Sequence, residues 1–221
     1  MTFDLFDNLP DYDRDGGISS EPLAPGASVL RRFARAQAGA LLDVVAGVAA
    51  VAPFRHLVTP GGRRMSVAMT NCGRLGWVSD RQGYRYDPVD PATGLHWPAM
   101  PRAFAVLARD AAAAAGYPDF TPDACLINRY LPGTRLSLHQ DRDELDVRAP
   151  IVSVSLGVPA VFLFGGLRRA DRPARIRVIH GDVVVWGGPS RLAFHGIAPL
   201  AQADHPLTGD TRINLTFRKA G

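Results

Sequence analysis

The chain has 221 residues, of which 47% are apolar and 21% charged, with a formal net charge of +4. That length suits one substantial domain, and no apolar run approaches the roughly twenty residues of a membrane span, so a helical membrane protein is excluded and a soluble globular one expected. Two cysteines, Cys72 and Cys125, neither in a Cys-x-x-Cys pair, speak against a disulfide framework and a zinc knuckle.

Residues 1 to 21 carry Asp4, Asp7, Asp11, Asp13, Asp15 and Glu21 against Arg14 alone, a local charge of −5 that leaves +9 for the rest. They show no sustained period and are expected to be a mobile acidic tail. A basic start followed by an apolar stretch is missing, so a cytoplasmic protein is expected. Residues 22 to 221 then form a single domain with a basic body whose cations, Lys219 apart, are all arginines. A basic body suits a polyanion such as nucleic acid, and a planar guanidinium matches phosphate bidentately. The alternative is that abundant Ala, Arg, Gly and Pro merely reflects a GC-rich genome.

The run from Phe33 to Val51 reads as a helix stopped by Pro53. A second helix is expected over Ala103 to Ala115, opened by Pro101 and ended by Gly116 and Pro118. Between them, Thr59-Pro60-Gly61-Gly62 is a turn, Met65 to Thr70 alternates as a strand, and the remainder, with Trp77, Tyr84, Tyr86 and Trp97, reads as loops. These rings suit either a stacking platform for bases or ordinary packing.

After Gly116 come eight short β runs: Ala124 to Tyr130, Arg135 to His139, Ile151 to Leu156, Ala160 to Phe164, Arg175 to Ile179, Val183 to Trp186, Leu192 to His195, and Arg212 to Arg218. Eight short strands with Gly and Pro turns predict a jelly roll, the cupin-like double-stranded β-helix, in a mainly β protein with flanking helices (α+β). Gly165-Gly166 and Gly187-Gly188 lack the spacing of a phosphate-cradling loop.

His139 and Asp141 lie two apart on a strand-like run and so share a face. An imidazole beside a carboxylate offers two ligands to a divalent metal, and a distant His would complete the two-His, one-carboxylate face of non-haem Fe(II) oxygenases. Composition alone yields about half a His-x-Asp in such a chain, so the pair needs support. His195, at a strand end before Gly196, is a candidate third ligand beside His180, His205, His56 and His96. In Arg212 to Arg218 the polar residues share one face, which fits either an ordinary half-buried strand or a wall whose two arginines grip the two ends of a dicarboxylate such as 2-oxoglutarate.

Several blocks together resemble the AlkB family of alkylated-nucleic-acid dioxygenases. They are Asn128-Arg129-Tyr130, Leu138-His139-Gln140-Asp141 with Asp143-Glu144, Arg148 to Gly157, His180-Gly181-Asp182 and Arg212 to Arg218, with Thr59 to Gly62, Met65 to Gly73 and Leu75-Gly76-Trp77 upstream. The resemblance implies that His139, Asp141 and His195 bind Fe(II), with 2-oxoglutarate and O2 as co-substrates. It implies that Arg212 with Tyr130 holds the distal carboxylate of 2-oxoglutarate and Arg218 with Asn128 the carboxylate near the iron, with Asn214 in the same pocket. Trp77 would stack on the damaged base opposite the ring of His139, while Tyr84, Tyr86, Asp143, Arg169 and Met69 would contact substrate. Residues 54 to 97 would be a nucleotide-recognition lid and 124 to 218 the β-helix core.

The implied activity is direct-reversal repair: oxidative demethylation of 1-methyladenine- or 3-methylcytosine-type bases in single- or double-stranded DNA, or RNA. It is coupled to 2-oxoglutarate decarboxylation to succinate and CO2, with release of formaldehyde. No membrane and no obligate protein partner is implied. The sequence departs from the family pattern at Arg63-Arg64, Leu163 and Ile213. Two alternatives share part of these features: a cupin-type metalloenzyme acting on a small molecule, and a nucleic-acid-binding module without catalysis.

Overall fold

A computed structural model describes residues 17–221, so the acidic segment up to residue 16 lies outside the described residues. The predicted tail ends earlier than expected, because Ser19–Ala24 forms strand β1, an exposed edge strand paired antiparallel with β2 (Ala27–Arg31). Helix α1 (Ala38–Val51) follows, entered through a 3-10 turn at Arg35–Gln37. Next come β3 (Ala68–Gly73), β4 (Gly76–Asp80), β5 (Gly83–Asp87) and helix α2 (Arg102–Ala114). The remaining strands are β6 (Ala124–Tyr130), β7 (Leu136–His139), β8 (Ile151–Gly157), β9 (Ala160–Phe164), β10 (Ala174–Val178), β11 (Val183–Trp186), β12 (His195–Ile197) and β13 (Arg212–Arg218).

The strands form a seven-stranded sheet in the order β1-β2-β11-β8-β13-β6-β3, a four-stranded sheet β10-β9-β12-β7, and the separate hairpin β4-β5. From β6 onward the chain passes between the two larger sheets, the double-stranded β-helix expected from the eight runs. Both faces of the large sheet are covered. Leu41 and Val45 of α1 and Phe104 and Leu107 of α2 pack on Ile127, Val154, Val185, Leu215 and Phe217. On the other face Leu126, Tyr130, Val184 and Trp186 meet Phe162, Phe164 and Ile197 of the small sheet. Each large apolar side chain so enclosed contributes about 1.5–3 kcal/mol relative to exposure.

Strand β13 sits between β8 and β6 in the interior of this sheet. Its alternation places Ile213, Leu215 and Phe217 among the core residues shared with the helices, and gives Arg212, Asn214, Thr216 and Arg218 to the inner face. The polar set is buried, between 1% and 6% exposed, so the half-solvated strand is ruled out. A buried polar row is costly unless each group finds a partner.

Three local expectations differ from the structure. Residues 76 to 87 are a hairpin rather than loops: a two-residue turn at Arg81-Gln82, with Gln82 N donating to Asp80 Oδ1 at 2.8 Å and Gly83 at φ 127°, reverses two five-residue strands. The strand predicted at 65 to 70 lies at Ala68–Gly73 and pairs with β6, so part of segment 54 to 97 is built into the large sheet. The strand predicted over Leu192 to His195 begins only at His195, because Arg191 N donates to Gly188 O at 3.1 Å and Ala193 N to Ser190 O at 2.9 Å, holding that stretch in turns.

Candidate active site

His139 ends β7 and His195 opens β12, and the two are register partners across that antiparallel pair. Their rings stand 4.4 Å apart, centroid to centroid. Asp141, two residues beyond His139, brings Oδ1 to 3.4 Å from His139 Nε2 and 3.8 Å from His195 Nε2. One donor atom from each residue falls within 4.8 Å of the others, and among the described residues no other His/Cys/Asp/Glu group does so. The remaining histidines are engaged elsewhere: His180 stacks on His205 at 4.3 Å, and His56 Nδ1 and His96 Nδ1 lie near the carbonyls of Met65 and Pro88.

Hydrogen bonding prepares the imidazoles as ligands. His139 Nδ1 is 2.9 Å from Ser137 O and His195 Nδ1 is 3.0 Å from Ala193 O. A carbonyl only accepts, so each Nδ1 carries a proton and each ring presents its Nε2 toward Asp141. Burial, with His139 alongside, pushes His195 down to about 3, which keeps it unprotonated. Asp141 Oδ2 accepts from Arg218 Nε at 2.7 Å, with Nη2 at 2.6 Å. Burial works against the carboxylate, but Arg218 and the two imidazoles outweigh it and hold its carboxyl well below the usual range. Burial works to lower His139, but the hydrogen bond and charge of Asp141 outweigh it and raise it, so a metal at this ring displaces a proton. Two imidazoles and a carboxylate converging on one point fit a divalent metal of the two-His, one-carboxylate type.

Behind this set lies a layer that the spacing of residues did not reveal. Glu144 is buried and meets Arg191 Nη2 at 3.0 Å, Arg218 Nε at 3.4 Å and the hydroxyl of Tyr86, which donates at 2.7 Å. Arg191 also donates to the carbonyls of Asp141 at 2.7 Å and Ala149 at 2.8 Å, fixing the backbone that carries the carboxylate. The only local signal was Glu144 close behind Asp141 and Asp143; its partner is 47 residues away.

The donor set lies in the wall of a cavity of about 820 Å³. Asn128, Tyr130, Asn214 and Arg218 line it, as do Met69, Trp77, Tyr84, Tyr86, Asp143 and Arg169. Arg212 is the exception. It stands behind Tyr130, with its guanidinium carbon 4.9 Å from the ring centroid and Nη2 donating to Ser155 Oγ at 3.0 Å. Its Nε and Nη1 are buried without a partner, as is Asn128 Oδ1. A buried guanidinium with no carboxylate and two unmet N–H groups is costly, and an anionic ligand relieves it. That fits a dicarboxylate co-substrate at this end of the cavity.

At the hairpin side, Trp77 stacks on Tyr84 with centroids 5.6 Å apart and planes 12° apart, and its Nε1 donates to Asp143 Oδ2 at 2.9 Å. One face of Trp77 is therefore covered by a neighbouring ring. Arg169 Nη1 donates to Leu138 O at 2.9 Å, with its guanidinium 5.8 Å from the Phe194 ring. Of the three departures from the family pattern, Arg63 lines the cavity, whereas Ile213 packs toward the helices and Leu163 lies outside the cavity lining.

The fold and the converging donors define an iron-dependent oxygenase, and the family model described as the 2OG-Fe(II) oxygenase superfamily matches residues 26–218: the chain belongs to that superfamily. Fe(II) is accordingly its cofactor, and 2-oxoglutarate and O2 are its co-substrates. The chain is 66% identical over 90% of its length to the alpha-ketoglutarate-dependent dioxygenase AlkB of Salmonella typhimurium, covering 93% of that protein. It is 65% identical over 91% of its length to the protein of the same name from Escherichia coli K12, again covering 93%. The solved structure of OsALKBH1 superimposes with a TM-score of 0.82 at 29% identity, covering 91% of this chain and all of that one. No helix among the described residues is long and apolar enough to cross a membrane.

Proposed function

We propose that this protein repairs alkylated nucleic acid by oxidative demethylation of bases such as 1-methyladenine and 3-methylcytosine, in single- or double-stranded DNA or in RNA. The observation that carries the reading is the position of the donor set: His139, Asp141 and His195 share one cavity with a stacked tryptophan–tyrosine pair and the carboxylate of Asp143. A base can lie on the first, and a positive charge is favoured by the second.

In this reading His139, Asp141 and His195 hold Fe(II). Arg212 with Tyr130 holds the distal carboxylate of 2-oxoglutarate, and Arg218 with Asn128 the carboxylate near the metal, beside Asn214. When bound, Fe(II) and 2-oxoglutarate activate dioxygen to oxidise the N-methyl group, which leaves as formaldehyde while succinate and CO2 are released. The protein's part is positioning and electrostatics. Arg218 offsets the charge of Asp141, and Arg191 and Glu144 keep that carboxylate and its backbone in place. Trp77 supplies a stacking surface worth about 1–3 kcal/mol per base.

Asp143 favours a base made cationic by methylation on a ring nitrogen over its neutral parent. Such methylation also blocks Watson–Crick pairing, which lowers the cost of turning the base out of a duplex. Hairpin β4-β5, within segment 54 to 97, serves as the nucleotide-recognition lid.

The test is mass spectrometry of a single-stranded oligonucleotide bearing one 3-methylcytosine, incubated with protein, Fe(II), 2-oxoglutarate, ascorbate and air. Loss of one methylene mass only when 2-oxoglutarate is present is the expected result. Succinate formation with an intact oligonucleotide would mean that the substrate is wrong.

A further inference from the structure

Three arginines gather on one side of the cavity. Arg63 and Arg64 close the turn that begins at Thr59, Arg135 immediately precedes β7, and all three are exposed and line the cavity. The turn is braced: Thr59 N donates to Arg63 O at 2.8 Å, Gly62 N to Thr59 O at 2.8 Å, and Arg63 N to Thr59 Oγ1 at 3.1 Å, with Gly62 at φ 80°. Ser66 ties it to the third arginine, its Oγ lying 3.2 Å from Arg135 O and 3.4 Å from Arg135 N.

Among the described residues, no carboxylate lies within 4.0 Å of Arg63, Arg64 or Arg135. Arg148 pairs with Asp146 at 2.7 Å, Arg168 with Asp171 at 3.1 Å and Arg74 with Asp123 at 2.8 Å, whereas among the described residues the exposed Arg102 and Arg109 have no carboxylate that close either; what sets Arg63, Arg64 and Arg135 apart from those two is that they line the cavity. Among the described residues these cations have no carboxylate partner, and three positive groups lining one cavity beside a braced turn favour a polyanion there. Exposed guanidinium forks match phosphate oxygens in charge and geometry.

We propose that Arg63, Arg64 and Arg135 form a phosphate clamp that holds the backbone of a nucleic-acid strand beside the base entering the cavity. Arg63 and Arg64 then set the affinity for a polynucleotide over a free nucleoside. The clamp rests on the reading of the cavity as a nucleic-acid site, and it adds the part of the strand flanking the lesion.

The experiment is the salt dependence of binding, by fluorescence anisotropy, of an unmethylated single-stranded oligonucleotide to the full chain between 50 and 200 mM salt. The comparison is of wild type with R63A/R64A and with R102A/R109A, which removes the same charge from exposed positions on α2, the helix against the outer face of the large sheet. Each phosphate of a single strand that the protein no longer neutralises lowers the slope of log K against log salt by about 0.7. R63A/R64A is therefore expected to be shallower by about 1.4, so that its deficit against wild type shrinks about sevenfold across the range. R102A/R109A keeps the wild-type slope.

An unchanged slope in R63A/R64A, or an equal fall in both variants, overturns the clamp. Circular dichroism of each variant establishes that a reduced slope does not come from unfolding. Because the oligonucleotide carries no lesion, the outcome is independent of demethylation: a protein that fails to demethylate but binds as described removes the proposed reaction and leaves the clamp.

Discussion

Arg191→Met tests the buried layer behind the donor set. The Arg191 side chain is 3% exposed and its partner Glu144 1%, and the substitution keeps much of the volume while leaving that carboxylate without its main cation. Removing one member of a buried ion pair costs about 3–5 kcal/mol, because the other charge stays desolvated. Glu144 retains the Tyr86 hydroxyl at 2.7 Å and Arg218 at 3.4 Å, which places the expected loss near the lower end, about 3 kcal/mol. For a chain of this size about 1 kcal/mol moves Tm by roughly 2–4 °C, so a fall of about 6–12 °C is expected. The assay is thermal unfolding by circular dichroism with a chelator present, so that metal binding adds nothing. A double variant with Glu144→Gln should lose less than the two single losses together, by roughly 0.5–3 kcal/mol. A drop in Tm below about 2 °C would refute the claim that this pair holds the Asp141 backbone in place.

Three other substitutions probe the site and the fold. Asp141→Ala removes the carboxylate donor and should abolish 2-oxoglutarate-dependent demethylation; an unchanged rate with metal content controlled would take Asp141 out of the ligand set. Trp77→Ala should weaken oligonucleotide binding by about 1–3 kcal/mol, read as a higher KM with a smaller change in kcat. Asp123 accepts from Ala220 N at 2.6 Å and pairs with Lys219 and Arg74, and although burial opposes its charge these partners hold its carboxyl below the usual value. A depressed folded value means that the contribution is complete above the unfolded pKa of about 3.9 and is lost as pH falls through the lower folded value. Asp123→Asn should therefore lower Tm at pH 7, with the gap to wild type closing below about pH 4; a gap that persists unchanged in acid would show that the charge is not what holds this corner.

The jelly roll was legible because its strands obey a local rule. Val183–Trp186 is a continuous apolar segment between turns, the pattern of a strand buried on both faces, Ile151–Gly157 is apolar but for Ser153 and Ser155, and Arg212–Arg218 alternates so regularly that its two faces can be assigned by eye. The short separation of His139 and Asp141 was likewise readable as a shared direction. Choosing His195 among five candidate histidines was not, since only the pairing of β12 with β7 brings it to the others. The pairing of Arg191 with Glu144 was invisible for the same reason: a buried ion pair between residues 47 apart leaves no period in the chain. Hairpin β4-β5 was missed because its strands are five residues long and mix Trp77, Ser79, Tyr84 and Arg85, a texture that local propensity cannot separate from a loop. Strand β1, with Ser19, Ser20, Glu21 and Pro22, reads as tail and is a strand only because β2 offers it an edge.

The interior position of β13 also bears on how the molecule is made. Asn128 and Asn214, adjacent across the β6–β13 pair, are 86 residues apart in the chain, and β13 pairs on its other side with β8. Contacts so distant in sequence are entropically expensive to form and tend to make folding slow. Until β13 is synthesised and inserted, β6 with β3 and β8 with β11 and β2 are two separate half-sheets, each with a bare inner edge open to pairing with another chain. The segment that delivers Arg212 and Arg218 is thus also the one that seals the sheet, so a chain that stalls before this step is aggregation-prone and lacks Arg218, the partner of the Asp141 carboxylate.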